Sequence, residues 1–250
     1  IKTMNNNFIS KKAKIGKNFK VGNFVTITDD VEIGDNCEIE SYSYIGYSNG
    51  REKRKLIIGN HAKIRSHSIV YLGSIIGENL VTGHHVTIRE NSLIGKDFQL
   101  GSQSIVMGEL NIGDYVKTGS NVEIGQYSKV GNYVWIFLNT TLINDKYPPS
   151  EEIIGPTLGD YSVIGAHSVI YPGIKVGKDS LVGSGCFLSK DLSECRIAVG
   201  NPSKEIGHVS KIKIGNSDSG AYPWRYRFHK GYPENVVKGW LSELDKIKNI

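Results

Sequence analysis

An aliphatic residue returns every six positions along most of the chain, and this period restricts the fold more than any other feature. One run is Ile15, Val21, Ile27, Ile33, Ile39 and Ile45; a second holds register without a slip from Ile58 to Leu142; a third runs from Leu158 to Leu188. Of these 27 positions, 25 are Ile, Leu or Val, and the exceptions are Thr82 and Thr118. An amphipathic helix repeats its apolar face near 3.6 residues, so six excludes it. A strand of a few residues followed by a tight turn does fit, and three such units close a triangular coil of about 18 residues, the signature of a parallel β-helix. A jelly roll or other sandwich needs longer strands at irregular spacing and fits poorly.

The period predicts about nine triangular coils, roughly 43 Å of prism at about 4.8 Å per coil. The aliphatic residue points inward. The position four later is small or apolar, as at Ala62, Ser68, Ser74, Ser92 and Ser104, and suits a cramped corner. A glycine often follows the aliphatic residue and is expected to relax the backbone near the turn. Domain bounds follow: an all-β helical prism over 1–207, then a tail over 208–250. In the tail, Pro233 starts a helix to about Lys248, with Val236, Val237, Trp240, Leu241, Leu244 and Ile247 on one face. The tail also holds the aromatic and basic segment Ala221 to His229, expected to cap the last coil or contact another subunit, with Trp224 or Arg225 stacking on a base as the alternative.

Composition sets outer limits. The formal charge of +5 over 250 residues suits a polyanionic small molecule, and no clustered basic stripe with interleaved aromatics marks a nucleic-acid groove. Cys37 and Cys186 fall at corners near opposite ends of the prism and cannot bridge, and Cys195 stands alone. A reducing cytoplasm follows as the expected compartment. No apolar run approaches a membrane span and no signal peptide is visible.

The repeat breaks in two places. The gap from Ile45 to Ile58 is one residue longer than two repeats, and its turn holds Arg51, Lys53, Arg54 and Lys55. It is either a solvated bulge or a phosphate contact. The gap from Leu142 to Leu158 is a polar, proline-stiffened loop that begins Asn144-Asp145-Lys146-Tyr147-Pro148-Pro149; a loop of this kind in so regular a scaffold points to function. Past Leu188 the pattern ends in Lys190-Asp191 and Gly200-Asn201-Pro202-Ser203-Lys204.

These endings carry a family resemblance. Gly165-Ala166, Pro172-Gly173, Gly183-Ser184-Gly185, Ser189-Lys190-Asp191 and Gly200-Asn201-Pro202-Ser203-Lys204 resemble the terminal coils of the left-handed β-helix acyltransferases with hexapeptide repeats, over about residues 13–206. The resemblance implies a left-handed coil, a homotrimer with clefts between subunits, and acetyl-CoA as acyl donor. It assigns Gly165, Ala166, Gly183 and Ser184 to the pantetheine arm, Asn201 and Pro202 to the same donor site, and Lys190 and Lys204 to phosphates. Lys204 departs from the family's usual arginine. The long loop, by the same resemblance, reaches toward a neighbouring subunit.

Residues 18 apart stack on adjacent coils, so polar columns follow directly: His67, His85, Gln103, Asn121 and Asn139 in one, and Ser66, His84, Ser102, Ser120 and Leu138 in the next. Thr82-Gly83-His84-His85-Val86-Thr87-Ile88-Arg89-Glu90 resembles a motif of the sugar acetyltransferase branch. Transfer from a thioester wants a base of near-neutral pKa and donors for the tetrahedral oxyanion. His84 is the candidate base. The spacing leaves a second arrangement open, since Asn121 lies about 10 Å further along the axis: chemistry centred on Asn121, Asn144 and Asp145, with His84, His85 and Glu90 holding the acceptor. A well-known branch uses a histidine in the long loop, and this loop has none, which favours an amine acceptor over a hydroxyl. The expected function is therefore N-acetylation of a nucleotide-linked amino sugar for a surface glycan, with sugar O-acetylation and a non-catalytic scaffold as alternatives. No metal is expected, because the local histidine pair four apart that a γ-type carbonic anhydrase would bring to zinc is missing.

Overall fold

The computed structural model describes residues 6–216 and 219–248; residues 1–5 of the first expected domain lie outside that range. Short parallel strands wind into three sheets. Sheet A runs from Phe8–Ile9 to Phe187–Leu188, sheet B from Lys14–Ile15 to Lys175–Val176, and sheet C from Lys20–Val21 to Leu181–Val182, each strand pairing with the one three units later. The register is the predicted one, as in Val70↔Ile88 and Ile76↔Ile94. The 27 repeat positions account for nine coils. Ile9, Leu192 (which bridges to Val176) and Ala198 of the strand Arg196–Val199 complete a tenth, so the coil continues past Leu188 with one shortened side. A final strand, Lys204–His208, runs antiparallel along Arg196–Val199 and covers the edge of sheet C.

The inward aliphatic residues form one continuous core, and Ile27, Ile45, Val70, Ile88 and Ile124 have no exposed surface. The corner serines are buried with it and add hydrogen bonds between coils: Ser74 Oγ donates to Arg89 O and accepts from Ser92 N. Glycine has a different role from the expected one. The left-handed backbone falls on the third residue after the aliphatic one, where Asn18, Asn36, His61, His67 and His85 have φ between 54° and 61°. The glycine is needed because the next coil lies against it: a Cβ on Gly77 would sit 2.7 Å from Lys96 N.

The two lapses from the aliphatic rule have a shared cause. Thr82 Oγ1 accepts from Arg65 N at 3.0 Å, and Thr118 Oγ1 accepts from Gly101 N at 3.0 Å. Each hydroxyl takes up an N–H of the preceding coil, so the demand beyond packing at Thr82 is a backbone hydrogen bond.

The tail packs on a side of the prism and not over its end. The helix Glu234–Lys248 buries Trp240, and Val236, Val237 and Leu244 join it in a second core with Val163, Trp224 and Tyr226. Leu241 is exposed, against expectation, and the side chain of Ile247 lies outside the described residues. Beneath the tail, Tyr115, Tyr133 and Tyr161 stack at 5.0 Å steps, the coil spacing. Trp224 Nε1 donates to Tyr161 O at 3.0 Å, and Arg225 is buried in an ion pair with Asp179 and a 3.0 Å contact to Glu243. Arg225, so enclosed, presents no free face for stacking on a base, and Trp224 keeps only the little surface it gives to a cavity against sheet C.

Candidate active site

Both insertions leave the prism at the corner between sheets A and B. The first, between the strands Tyr44–Tyr47 and Leu56–Ile58, folds down along that edge. Asn91 anchors it, accepting from Lys53 N and donating to Arg51 O, each at 2.9 Å. Lys53 pairs with Glu109 and Lys55 with Glu32. Two of its four basic residues are thus neutralised, which fits the solvated-bulge reading. Glu90 sits beneath this loop, 1 % exposed, with both oxygens 3.1 Å from the Arg89 guanidinium. That places Glu90 on the A–B edge, while His84 and His85 lie on the C–A edge, so the structure does not bring Glu90 to the histidines.

The second insertion, between Thr141–Leu142 and Thr157–Leu158, is organised by its own residues. Asn144 O accepts from Ile154 N at 2.8 Å. Asp145 accepts from the Ser150 hydroxyl at 2.6 Å and from the amides of Ser150 and Tyr147 at 3.0 Å. The Ser150 hydroxyl and then these amides hold its carboxyl below the usual carboxylate range. A carboxylate so engaged shapes the loop and is a poor proton acceptor. Lys190 is on this A–B edge too, exposed on the chain between Leu188 and Leu192.

The C–A edge carries the other candidates in one line. Phe24, Tyr42, His67 and His85 stack in sequence, with centroids 5.1, 4.9 and 4.6 Å apart. Gln103, Asn121, Asn139 and His167 continue the column with positive φ, and Asn139 Nδ2 lies 3.3 Å from His167 Nε2. Ala166 and Ser184 occupy the neighbouring column, with Gly165 and Gly183 beside them. The turn Gly200-Asn201-Pro202 ends the line between the last two strands, and Lys204 follows it, exposed. Gly165 and Gly183 have a structural reason of their own: a Cβ would lie 2.4 Å from Ser184 N and 2.8 Å from Val199 Cγ1.

His84 has partners that sequence spacing left unseen. Its Nδ1 is 2.9 Å from Ser66 Oγ and 3.8 Å from Glu40 Oε2, and its backbone N–H donates to Ser102 Oγ at 3.1 Å. Glu40 is itself held by Arg65 at 2.5 Å and by Ser66 N at 3.1 Å; the Arg65 guanidinium is the main cause of its lowered pKa. Thr82 holds the Arg65 backbone, so the hydroxyl that broke the repeat helps to place the carboxylate behind His84. The ring is half-exposed, an arrangement able to accept a proton. Only the column of Ser66 over His84 hinted at this; Glu40 lies 26 residues before Ser66, a spacing lengthened by the first insertion. Glu40 and Ser66 also line a polar hollow of about 270 Å³ with Lys20, Glu38 and Ser41.

The chain is similar to known transferases. The description "Bacterial transferase hexapeptide (six repeats)" matches residues 12–47 and 155–190. The chain is 26 % identical over 241 residues, 93 % of its length and 72 % of the other's, to the acyl-[acyl-carrier-protein]–UDP-N-acetylglucosamine O-acyltransferase of Campylobacter concisus. The chain thus carries hexapeptide repeats on a parallel β-helix and is similar to these acyltransferases. Over 150 residues, 53 % of the chain and 68 % of the relative, it is 29 % identical to the galactoside O-acetyltransferase of Escherichia coli. The fold matches the UDP-N-acetylglucosamine acyltransferase of Campylobacter jejuni with a TM-score of 0.55 at 23 % identity, covering 96 % of this chain and 81 % of that one. Against the bifunctional GlmU of Clostridium kluyveri the chain is 26 % identical and spans only 40 % of the relative's length. The protein is an acyl-transferring enzyme. No helix among the described residues is long and apolar enough to cross a membrane, and none of their His, Cys, Asp and Glu side chains form a group of three that could hold a metal.

Proposed function

We propose that the protein transfers an acetyl group from acetyl-CoA to the amino group of a nucleotide-linked amino sugar used for a surface glycan. The observation that carries this reading is the C–A edge. It runs unbroken from His84, beside a polar hollow, through the amides of Gln103, Asn121 and Asn139 to Ala166, Ser184 and the Asn201-Pro202 turn. His84 and Ser184 follow sheet-C strands five steps apart, roughly 24 Å. The donor lies along the glycine-lined end, its pantetheine against Gly165, Ala166, Gly183 and Ser184 and its phosphates near Lys204. The acceptor enters from the polar end.

In the transfer, the acceptor nitrogen attacks the thioester carbonyl, the oxyanion takes N–H donors on the C–A edge next to His84, such as the Gln103 side-chain amide one coil along, and collapse expels the CoA thiolate. The acceptor's proton passes to His84 Nε2, because Nδ1 already faces Ser66. A partly neutral amine needs orientation more than deprotonation, and amides dominate the middle of the edge. A second reading, O-acetyl transfer, is favoured by the Glu40–Ser66–His84 arrangement, which equips a base for a hydroxyl, and by the O-acyl activities in the names of two of the three sequence relatives above.

Assembly supports the same site. The outward positions of sheet A are Phe8, Thr26, Tyr44, Ile69, Thr87, Ile105, Glu123, Thr141, Val169 and Phe187, with a single charge, whereas sheets B and C each present four. Packing three A faces about a three-fold axis brings the A–B edge of one copy, with Asn144, Asp145 and Lys190, toward the C–A edge of the next. The acceptor test is direct: acetyl-CoA is incubated with nucleotide-linked 3-amino and 4-amino sugars and their hydroxyl counterparts while free thiol is followed. Thiol release with amino sugars is expected; release with hydroxyl acceptors alone moves the assignment to O-acetylation.

A further inference from the structure

A second cavity, unconnected to the base, opens where the tail meets sheet C. It measures about 340 Å³, within the size range of small-molecule sites. Trp135 and Phe137 of sheet C form one wall, Trp224, Phe228 and Tyr232 of the tail form the other, and Lys230 lies at its margin. The rings are fixed. Trp135 Nε1 donates to Tyr232 Oη at 3.0 Å, Trp224 and Tyr232 lie 5.4 Å apart, and Trp240 backs both edge-on. The walls are therefore preorganised.

Lys117 Nζ lies 4.4 Å from the ring centroid of Tyr232 and 5.0 Å from that of Trp135. It is half-buried, and Asp97 supplies the carboxylate charge that acts on it. Removal from water disfavours the charged Lys117 amine, as its lowered pKa indicates. Phe137 and Leu138 are both 43 % exposed and join the cleft to Asn139 on the C–A edge.

We infer that this aromatic cleft binds the base of a nucleoside phosphate, stacked between the sheet-C and tail rings, with its phosphate drawn to Lys230. Two substrates of the proposed reaction carry that chemistry, the adenine end of CoA and the nucleotide of the acceptor, and the inference rests on that reading of the reaction. Continuity with Asn139 places the base within a few coils of the transfer line, so the tail becomes part of substrate recognition and not only a cover for sheet C.

All three tryptophans of the chain line or back the cleft, so intrinsic fluorescence reports on it. Full-length protein is titrated separately with adenosine 3′,5′-bisphosphate, UDP and inorganic pyrophosphate. At least one nucleotide is expected to quench fluorescence and to bind at least tenfold more tightly than pyrophosphate; which one distinguishes donor from acceptor. Phe228→Ala and Lys230→Glu, both at exposed positions, are each expected to weaken that nucleotide about tenfold with an unchanged circular dichroism spectrum. Unchanged affinity in both variants, pyrophosphate binding as tight as nucleotide, or no nucleotide binding overturns the inference. The reaction is judged separately by thiol release: turnover of amino sugars that survives unchanged affinity in the variants sinks the cleft alone. Weakened nucleotide binding without any turnover sinks the reaction and keeps the cleft.

Discussion

Individual side chains decide both the regularity of this prism and its chemistry. Gly77 is held by the backbone of the next coil, so Gly77→Ala is expected to cost about 1–3 kcal/mol through overpacking, read as a lowered denaturation midpoint. Thr82→Val keeps the shape but strands the Arg65 N–H, at a cost of about 1–3 kcal/mol. It should also lower activity by loosening Glu40. If His84 is the base, His84→Asn lowers turnover by about 100-fold or more, whereas Asp145→Ala acts mainly on loop order and raises KM. Near-normal turnover of His84→Asn would remove the base assignment. The inward residues were legible in the sequence because every one repeats the same local environment. Glu40 was not, because the insertion between it and Ser66 breaks the 18-residue arithmetic that revealed the other columns.

Among the elements, the tail is the least regular and the most dependent on a few polar contacts. Arg225 and Asp179 are 3 % and 5 % exposed, so Arg225→Met leaves a buried carboxylate without its partner, a loss of about 3–5 kcal/mol. The expected result is a detached tail over an intact β-helix, seen as a red-shifted tryptophan spectrum with unchanged strand signal. Burial pushes the phenols of Tyr133, Tyr226 and Tyr232 up to about 12 from an ordinary 10.0. Between those values the undocked phenols ionise while the docked ones keep their protons. The docked state therefore binds more protons, and its stability falls as pH rises. Tail docking should be complete below pH 10 and lost progressively toward 12, a trend that the same fluorescence follows; docking that strengthens over this range would contradict it. The helix at 234–248 was visible in the sequence, but its seat was not. A helical face states that it needs a partner and does not say which side of the prism provides one.

For the whole molecule, one nearly uncharged face and two edges carrying complementary site residues make self-association the natural way to complete the centre. Ile105→Lys, in the middle of sheet A, should convert a trimer to monomers in light scattering and reduce activity with them. A variant that remains trimeric would exclude sheet A as the interface.

Read alone, the six-residue period determined the coil, its register, the inward core and the approximate ends of the prism. Those properties depend on neighbours at constant sequence separation, so a linear pattern contains them. The terminal glycine-rich coils pointed by resemblance to acyl transfer. The tertiary structure alone put Glu40 behind the histidine, tied Asp145 into its own loop, and folded the tail against sheet C to make an aromatic cleft. Each of these joins residues across an insertion or from tail to coil. Their separation in the chain follows no period, and only the closing of the fold brings them within contact distance.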